Sequence, residues 1–195
     1  MKKIIILSIL ILCINKLIAQ KNTLLLYGNI GFENKKEGFS NIKSNFTFAP
    51  GIGYQFHRNW TIGLRFQAAS SKEVRTYPGG ENVIKYNEFG LGPFLRYTKT
   101  LNNTFSIFGQ IEGGFGAAKD RYNGTTTDEY RGFQSNLFPA IAIHVHKGLA
   151  LNVDIGGIAY NWSKYKDGYA LQRTVAFNFG KTINIGVSKN FNLKK

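Results

Sequence analysis

The sequence RTVAFNFGKTINIGVSKNF, from Arg173 to Phe191, alternates between two kinds of residue along most of its length. Odd positions are large and apolar, interrupted by Lys181 and Lys189, whereas even positions are small and polar or glycine. A period of two indicates a β-strand with two different faces. Small uncharged residues suit a crowded interior, since a face turned to bulk water usually carries Lys and Glu. The stretch therefore predicts a strand of a membrane barrel, with its apolar face towards lipid and its polar face towards a narrow lumen.

Seven further segments with the same period precede this one. Two kinds of connection alternate between the segments: tight turns at residues 57–59, 100–103 and 146–148, and longer polar connections at 33–45, 70–84, 119–130 and 163–172. This pattern predicts an all-β fold, an eight-stranded antiparallel up-and-down transmembrane β-barrel with long extracellular loops. In the seventh segment the apolar phase changes at Gly156-Gly157, where we expect a β-bulge. The apolar residues of the seven segments begin at Leu24, Phe46, Trp60, Phe89, Phe105, Phe133 and Leu149.

The first nineteen residues have the features of a signal peptide. Lys2 and Lys3 form a basic start, an apolar run follows, and Ala19 precedes a plausible cleavage point. The prediction is a signal peptide at residues 1–19 and one barrel domain at residues 20–195. Cys13 is the one cysteine of the sequence, so the mature chain can form no disulfide.

The chain is strongly basic, with a formal net charge of +14. An exported chain without a basic helix or a Lys/Arg run is not expected to bind nucleic acid. Phosphate groups of outer-leaflet lipopolysaccharide are the expected counter-charge. The basic residues in or beside the long connections predict a basic extracellular rim, made of Lys35, Lys36, Lys43, Lys72, Arg75, Arg121, Arg131, Lys164, Lys166 and Arg173.

Four charged residues fall on the lumen face by strand parity: Arg65, Arg96, Glu112 and Asp154. Eight strands enclose a space that side chains nearly fill, and buried charges in such a space must pair. Arginine binds carboxylates through a planar fork. The hypothesis is one connected Arg–carboxylate cluster that closes the lumen. The alternative is a conducting path past the same four residues.

No residues point to catalysis, a metal or a cofactor. His57, His144 and His146 all lie near the short turns, whereas a barrel enzyme acting on outer-leaflet lipid needs its nucleophile and base at the opposite end. Asp120 and Glu129 share a long connection with Asp128, but the spacing matches no calcium loop and favours a solvated loop.

Aromatic residues gather at both ends of the predicted strands, as in the interfacial girdles of membrane barrels. With these girdles and the stretch from Ala49 to Tyr54 (APGIGY) running into Asn59-Trp60, the chain resembles the small eight-stranded outer-membrane barrels, which include the OmpX-like proteins and the OmpA membrane domain. It looks like the versions common in Bacteroidota. The resemblance covers the mature chain and implies the outer membrane of a Gram-negative cell. The tail after Phe191 departs from it, since members usually stop at a terminal aromatic.

These observations predict a monomeric, non-catalytic outer-membrane protein. Its expected role is envelope integrity, or surface adhesion or partner binding through the basic loops. A porin-like passive pore and an envelope lipid-modifying barrel enzyme are the alternatives. A soluble lipocalin-like carrier is disfavoured, because its outer face would be densely charged.

The signal peptide gives the first testable prediction. N-terminal sequencing of the protein purified from the cell envelope should begin at Gln20. A mature chain that still carries Met1 would contradict this.

Overall fold

The strands predicted from the period-two segments close into a barrel in which each strand pairs with its neighbours in chain order. The structure is a computed structural model that describes residues 22–37, 41–166 and 171–193, so the predicted signal peptide lies outside the described residues. The eight-stranded antiparallel up-and-down fold is confirmed. The strands are β1 (Thr23–Glu37), β2 (Asn41–Gln55), β3 (Trp60–Tyr77), β4 (Gly80–Thr100), β5 (Phe105–Tyr122), β6 (Thr125–His146), β7 (Leu149–Tyr165) and β8 (Leu171–Asn192).

The two faces of the wall have the polarity that the sequence predicts. The apolar residues Ile62 and Leu64 point outwards, and each is 52% exposed. The polar residues Gln110 and Ser106 point inwards and are 0% and 1% exposed. An apolar exterior that continues around the barrel is stable only against lipid. The fold is therefore that of a transmembrane β-barrel. No helix among the described residues is long and apolar enough to cross a membrane.

Aromatic pairs mark the two edges of the apolar band. Trp60 contacts Tyr97 with a ring-centroid distance of 4.9 Å, beside the turns at residues 56–59 and 101–104. We call this end of the barrel the short-turn end and the opposite end the rim end. Towards the rim end, Phe115 and Phe133 lie 5.2 Å apart. The band runs along β5 from Phe105 to Phe115, about one membrane-crossing length for a tilted strand.

The long loops predicted at residues 70–84 and 119–130 are wrong. Both segments are β-hairpins in which the strands stay paired up to short turns. One turn is Asn123-Gly124, with φ values of 48° and 89°, and this dipeptide favours the tight turn whose twist matches the flanking strands. The hairpins rise beyond the apolar band, where neither face meets lipid. No apolar alternation marked them as strands in the sequence.

The bulge predicted at Gly156-Gly157 is present. The register between β7 and β8 shifts between Asp154 and Gly156, and Gly156 has φ +87°. A Cβ atom at Gly156 would lie 1.6 Å from the carbonyl oxygen of Asn178, so only glycine fits. The shift turns Ile158 outwards after Ile155 and keeps the apolar face continuous.

The outward face generates a stability prediction. Ile111 lies outwards near the middle of the apolar band, and Ile111→Arg should lower the free energy of unfolding from lipid vesicles by about 2–4 kcal/mol. Thr126→Arg, at the exposed tip of the β5–β6 hairpin, is the control and should change stability by no more than about 0.5 kcal/mol. Denaturant titration in vesicles measures both. Equal losses at the two positions would argue against a lipid-facing Ile111.

Candidate functional site

The floor of the lumen is built around Arg96 of β4. Its guanidinium lies between two rings, 4.1 Å from the ring centre of Phe108 and 4.5 Å from that of Tyr27. The residue is 5% exposed. Stacking on two aromatic faces stabilises a cation that burial has stripped of water. The three side chains come from β1, β4 and β5, and together they form a packed layer across the barrel.

Inward-facing glycines make room for the aromatic side chains of this layer. A Cβ atom at Gly53 or Gly63 would come within 2.7 or 2.6 Å of the ring of Phe94, which is 2% exposed. A Cβ at Gly51 would overlap the ring of Tyr27 in the same way. Small residues on β2 and β3 therefore face large residues on β1 and β4, as a narrow barrel requires.

A hydrogen-bonded network links both arginines of the lumen to Glu112. Arg65 forms an ion pair with Glu112 Oε1, and Asn136 donates to the same oxygen at 3.1 Å. Gln110 donates to Glu112 Oε2 at 2.9 Å, while its own carbonyl accepts from Arg96 Nε at 2.7 Å. The buried amide of Gln110 thus connects Arg96 to the carboxylate that Arg65 holds.

Asp154 stands apart from this network. Its Oδ1 accepts hydrogen bonds from Asn184 Nδ2 at 2.8 Å and from the amide of Gly156 at 3.3 Å. No ion pair in the described part of the chain involves Asp154 or Arg96. All four residues of the hypothesised cluster nevertheless line one cavity of about 320 Å³. The geometry is one ion pair, one arginine joined through Gln110, and one carboxylate held by β8.

The packed layer around Arg96 lies between two cavities. The cavity that contains Glu112 and Asp154 is on the rim side; we call it the mid-lumen cavity. A cavity of about 710 Å³ lies on the other side and is lined by His57, Arg58 and Lys99 near the short turns. Arg96 lines both.

A serine–histidine pair at the short-turn end was not predicted. Ser106 Oγ lies 2.7 Å from His144 Nε2, on adjacent strands β5 and β6. In the described structure, no carboxylate bonds to His144, so a hydrolytic triad is incomplete. The signal in the sequence was the lumen parity shared by Ser106 and His144.

At the rim end, basic residues face each other across neighbouring strands. Lys72 of β3 lies directly opposite Lys85 of β4, and Lys85 lies opposite Arg121 of β5. We call these three exposed residues the basic row. Further round the barrel, Arg131 lies opposite Lys164. Lys85 was missed because it follows the boundary at residue 84, although its parity matches Phe89. The strands themselves carry Lys35, Lys36, Lys43, Lys72, Arg75, Arg121, Arg131, Lys164 and Arg173, and Lys166 follows β7 directly.

Part of the predicted basic rim is neutralised within the protein. Glu129 accepts from Lys166 Nζ at 2.8 Å and from Lys119 Nζ at 2.9 Å. These bonds, that from Lys166 first, lower the pKa of Glu129 to about 2. Arg75 pairs with Glu73 at 2.6 Å. By contrast, no ion pair among the described residues involves the basic row.

The acidic residues near the β5–β6 turn do not come together as a site. Asp120 accepts from the hydroxyl of Tyr130 at 2.9 Å, while Glu129 is held by the two lysines. Within residues 22–37, 41–166 and 171–193, no group of three or more His, Cys, Asp or Glu side chains is placed to hold a metal ion.

Comparison with known proteins places this architecture beside several solved barrels. The crystal structure of Ail, the attachment invasion locus protein of Yersinia pestis, is similar at 17% identity and a TM-score of 0.37, covering 89% of this chain and 100% of that one. Neisserial surface protein A (NspA) is similar at 10% identity and a TM-score of 0.44, covering 87% and 96%. Ail in complex with the heparin analogue sucrose octasulfate gives 16%, 0.41, 89% and 100%. No family profile and no curated protein sequence matches the chain. The barrel's own geometry defines its class, the small eight-stranded transmembrane barrels, and confirms the resemblance at the level of fold.

The network around Glu112 generates a stability prediction. Glu112→Ala leaves Arg65 without its carboxylate, at a cost on the order of 3–5 kcal/mol, reduced where lumen water reaches the guanidinium. The double variant Arg65→Met with Glu112→Leu removes both charges and should be more stable than Glu112→Ala alone. Denaturant midpoints in vesicles measure the difference. A double variant no more stable than Glu112→Ala would show that the unpaired charge is not the cause.

Proposed function

We propose that this protein is a monomeric, non-catalytic barrel of the Gram-negative outer membrane. Its lumen is plugged, and its basic rim binds the phosphate groups of outer-leaflet lipopolysaccharide. The observation that carries the proposal is the basic row, in which three cations of adjacent strands lie side by side above the apolar band. The role that follows is envelope integrity, through contacts that tie neighbouring lipids to a rigid wall.

The basic row requires an anion. Residues directly opposite in an antiparallel pair have Cβ atoms about 4.5–5.5 Å apart, and like charges at such positions are destabilising. Lys85 has a cation on both sides. A phosphate between neighbouring side chains converts this repulsion into attraction, and arginine and lysine both bind phosphate well.

The position of the cations suits a lipid headgroup. Phe133 lies opposite Trp162 in the aromatic layer, and Arg131 and Lys164 stand opposite each other two residues further towards the rim end. Cations immediately above an interfacial aromatic layer lie at headgroup depth. This supports an extracellular rim end and an outer leaflet rich in phosphate. The same cations suit an acidic surface partner, so adhesion is the second candidate role.

The lumen favours a plug over a pore. Arg96 fills the space between Tyr27 and Phe108, and Phe94 packs beside them against the inward glycines. Opening a path requires breaking the stacking of Arg96 and its bond to Gln110. A catalytic role is disfavoured because Ser106 and His144 lie at the short-turn end, away from the outer leaflet.

Binding to lipopolysaccharide tests the rim. Vesicle binding by the detergent-solubilised protein should weaken as salt rises, and Lys72→Gln, Lys85→Gln and Arg121→Gln together should weaken it by about 1 kcal/mol for each charge removed. The matched control carries Arg58→Gln, Lys99→Gln and Lys147→Gln at the short-turn end and should bind as the wild type does. Equal losses in the two triple variants would show that net charge, rather than the basic row, decides binding.

Planar-bilayer recording tests the plug. The refolded wild-type protein should give no steady conductance, whereas Arg96→Ala with Phe108→Ala should open a small one, because both variants remove side chains of the packed layer. Gel mobility of unheated samples verifies that the variant is folded. Steady single-channel steps from the wild type would favour the passive pore instead.

A further inference from the structure

The barrel closes incompletely between its first and last strands. β1 pairs with β8 over six residue pairs, from Thr23 with Asn192 to Gly28 with Val187. Every other pair of neighbouring strands in the described structure is joined by 13 to 18 residue pairs. Residues 29–37 of β1 and 171–186 of β8 therefore face each other without a shared ladder. We call this gap the seam opening.

The seam opening lies in the outer half of the apolar band. The paired part of the seam begins beside Phe191 at the short-turn end and stops at Gly28, about midway along the band. Beyond it, Ile30 and Phe32 on β1 are 70% and 75% exposed, and Ile183 and Ile185 on β8 are 68% and 64% exposed. These values exceed the 52% of Ile62 and Leu64 on the closed side of the wall. The outer leaflet thus meets apolar side chains on both lips of the opening.

Behind the opening lies the mid-lumen cavity, which both edge strands line. Asn29 of β1 and Asn178 and Asn184 of β8 contribute to it, together with Asn136 and Asn152 on the far wall. Its volume of about 320 Å³ is at the lower end of the range for small-molecule sites. An opening with apolar lips thus leads sideways from the lipid phase to a cavity rich in side-chain amides.

The chemistry of the cavity selects an uncharged polar head. Arg65 is already paired with Glu112, Arg96 is stacked and bonded to Gln110, and Asp154 is held by Asn184. The remaining amides offer both donors and acceptors. Hydroxyl or amide groups match such a lining, whereas a phosphate would need a cation that the network does not release.

The shape of the opening favours an aliphatic chain over an added β-strand. At its base the edges touch, since a Cβ at Gly186 would lie 3.0 Å from the carbonyl oxygen of Gly28. A strand that pairs with both edges needs them roughly 10 Å apart along its length. A gap that tapers from contact admits a single acyl chain, whose polar head then contacts the cavity lining and, with lumen water, the open backbone edges. Unpartnered backbone groups facing lipid would be costly.

We propose that the seam opening is a lateral entrance through which a single-chain amphiphile with an uncharged, hydroxyl- or amide-bearing head moves from the outer leaflet into the mid-lumen cavity. The head binds among the asparagines, and the chain stays between Ile30 and Ile185. This site is separate from the basic rim, so either can be correct without the other.

A disulfide across the opening tests the route. Continuing the register of the paired part sets Ile30 against Ile185, so Ile30→Cys with Ile185→Cys should bridge the lips when oxidised. The control pair, Leu26→Cys with Lys189→Cys, bridges residues that are already opposite each other. The probe is a monoacylglycerol with a diazirine on its head, added to vesicles that contain the protein, and mass spectrometry locates the labelled residues.

The expected result is labelling of the cavity residues Asn136 and Asn152 in the wild type. Oxidised Ile30→Cys with Ile185→Cys should lose this labelling and regain it on reduction, while the control pair keeps it throughout. If the bridged variant does not fold, Ala159→Trp, which fills the cavity without altering the seam, should cause the same loss.

Three results would overturn the proposal. The first is a wild-type protein labelled on its outward face alone. The second is labelling that persists behind the closed bridge, which would mean entry through an end of the barrel. The third is efficient disulfide dimerisation of Ile30→Cys by itself, which would assign the opening to a second copy of the chain.

Discussion

An eight-stranded wall leaves an interior so narrow that side chains from opposite strands touch, and most of this structure follows from filling that interior. The wall cannot place large residues everywhere. Gly53 and Gly63 give up their side chains so that Phe94 can lie across the barrel, and Gly51 does so for Tyr27. The resulting layer leaves one gap, which the guanidinium of Arg96 occupies. A rigid plug is thus a result of volume before it is a result of charge.

The charges of the lumen follow from the same narrowness. With little room for water, a cation on the lumen face needs a partner within reach, and the low local dielectric strengthens whatever bonds it makes. Gln110 has the central place because its amide can accept from a cation and donate to a carboxylate at once. It joins Arg96 to Glu112 although the two charges form no direct ion pair. Counting charges of opposite sign therefore underestimates how far the network extends.

The sequence could predict whatever the lipid enforces. Contact with hydrocarbon demands apolar residues at every second position, so the strands, their outward faces and the Gly156 bulge were all readable. Inside the barrel no such demand exists, and Phe94 and Phe108 occupy polar-face positions that periodicity alone assigns to small residues. The inward glycines beside them were the missed signal, as Asn123-Gly124 was for the hairpin.

The seam opening had no signal at all in the sequence. β1 and β8 are far apart in the chain, and how far they pair depends on the whole circuit of registers between them.

The placement of the cations on paired strands has a consequence for recognition. A mobile loop loses backbone freedom when it binds, at roughly 1–2 kcal/mol for each residue that becomes fixed. The ladders between β3, β4 and β5 have already fixed the backbone under Lys72, Lys85 and Arg121, so binding an anion orders only the ends of side chains. The surface behaves as a preformed template, selective for partners whose negative charges repeat at the spacing of neighbouring strands.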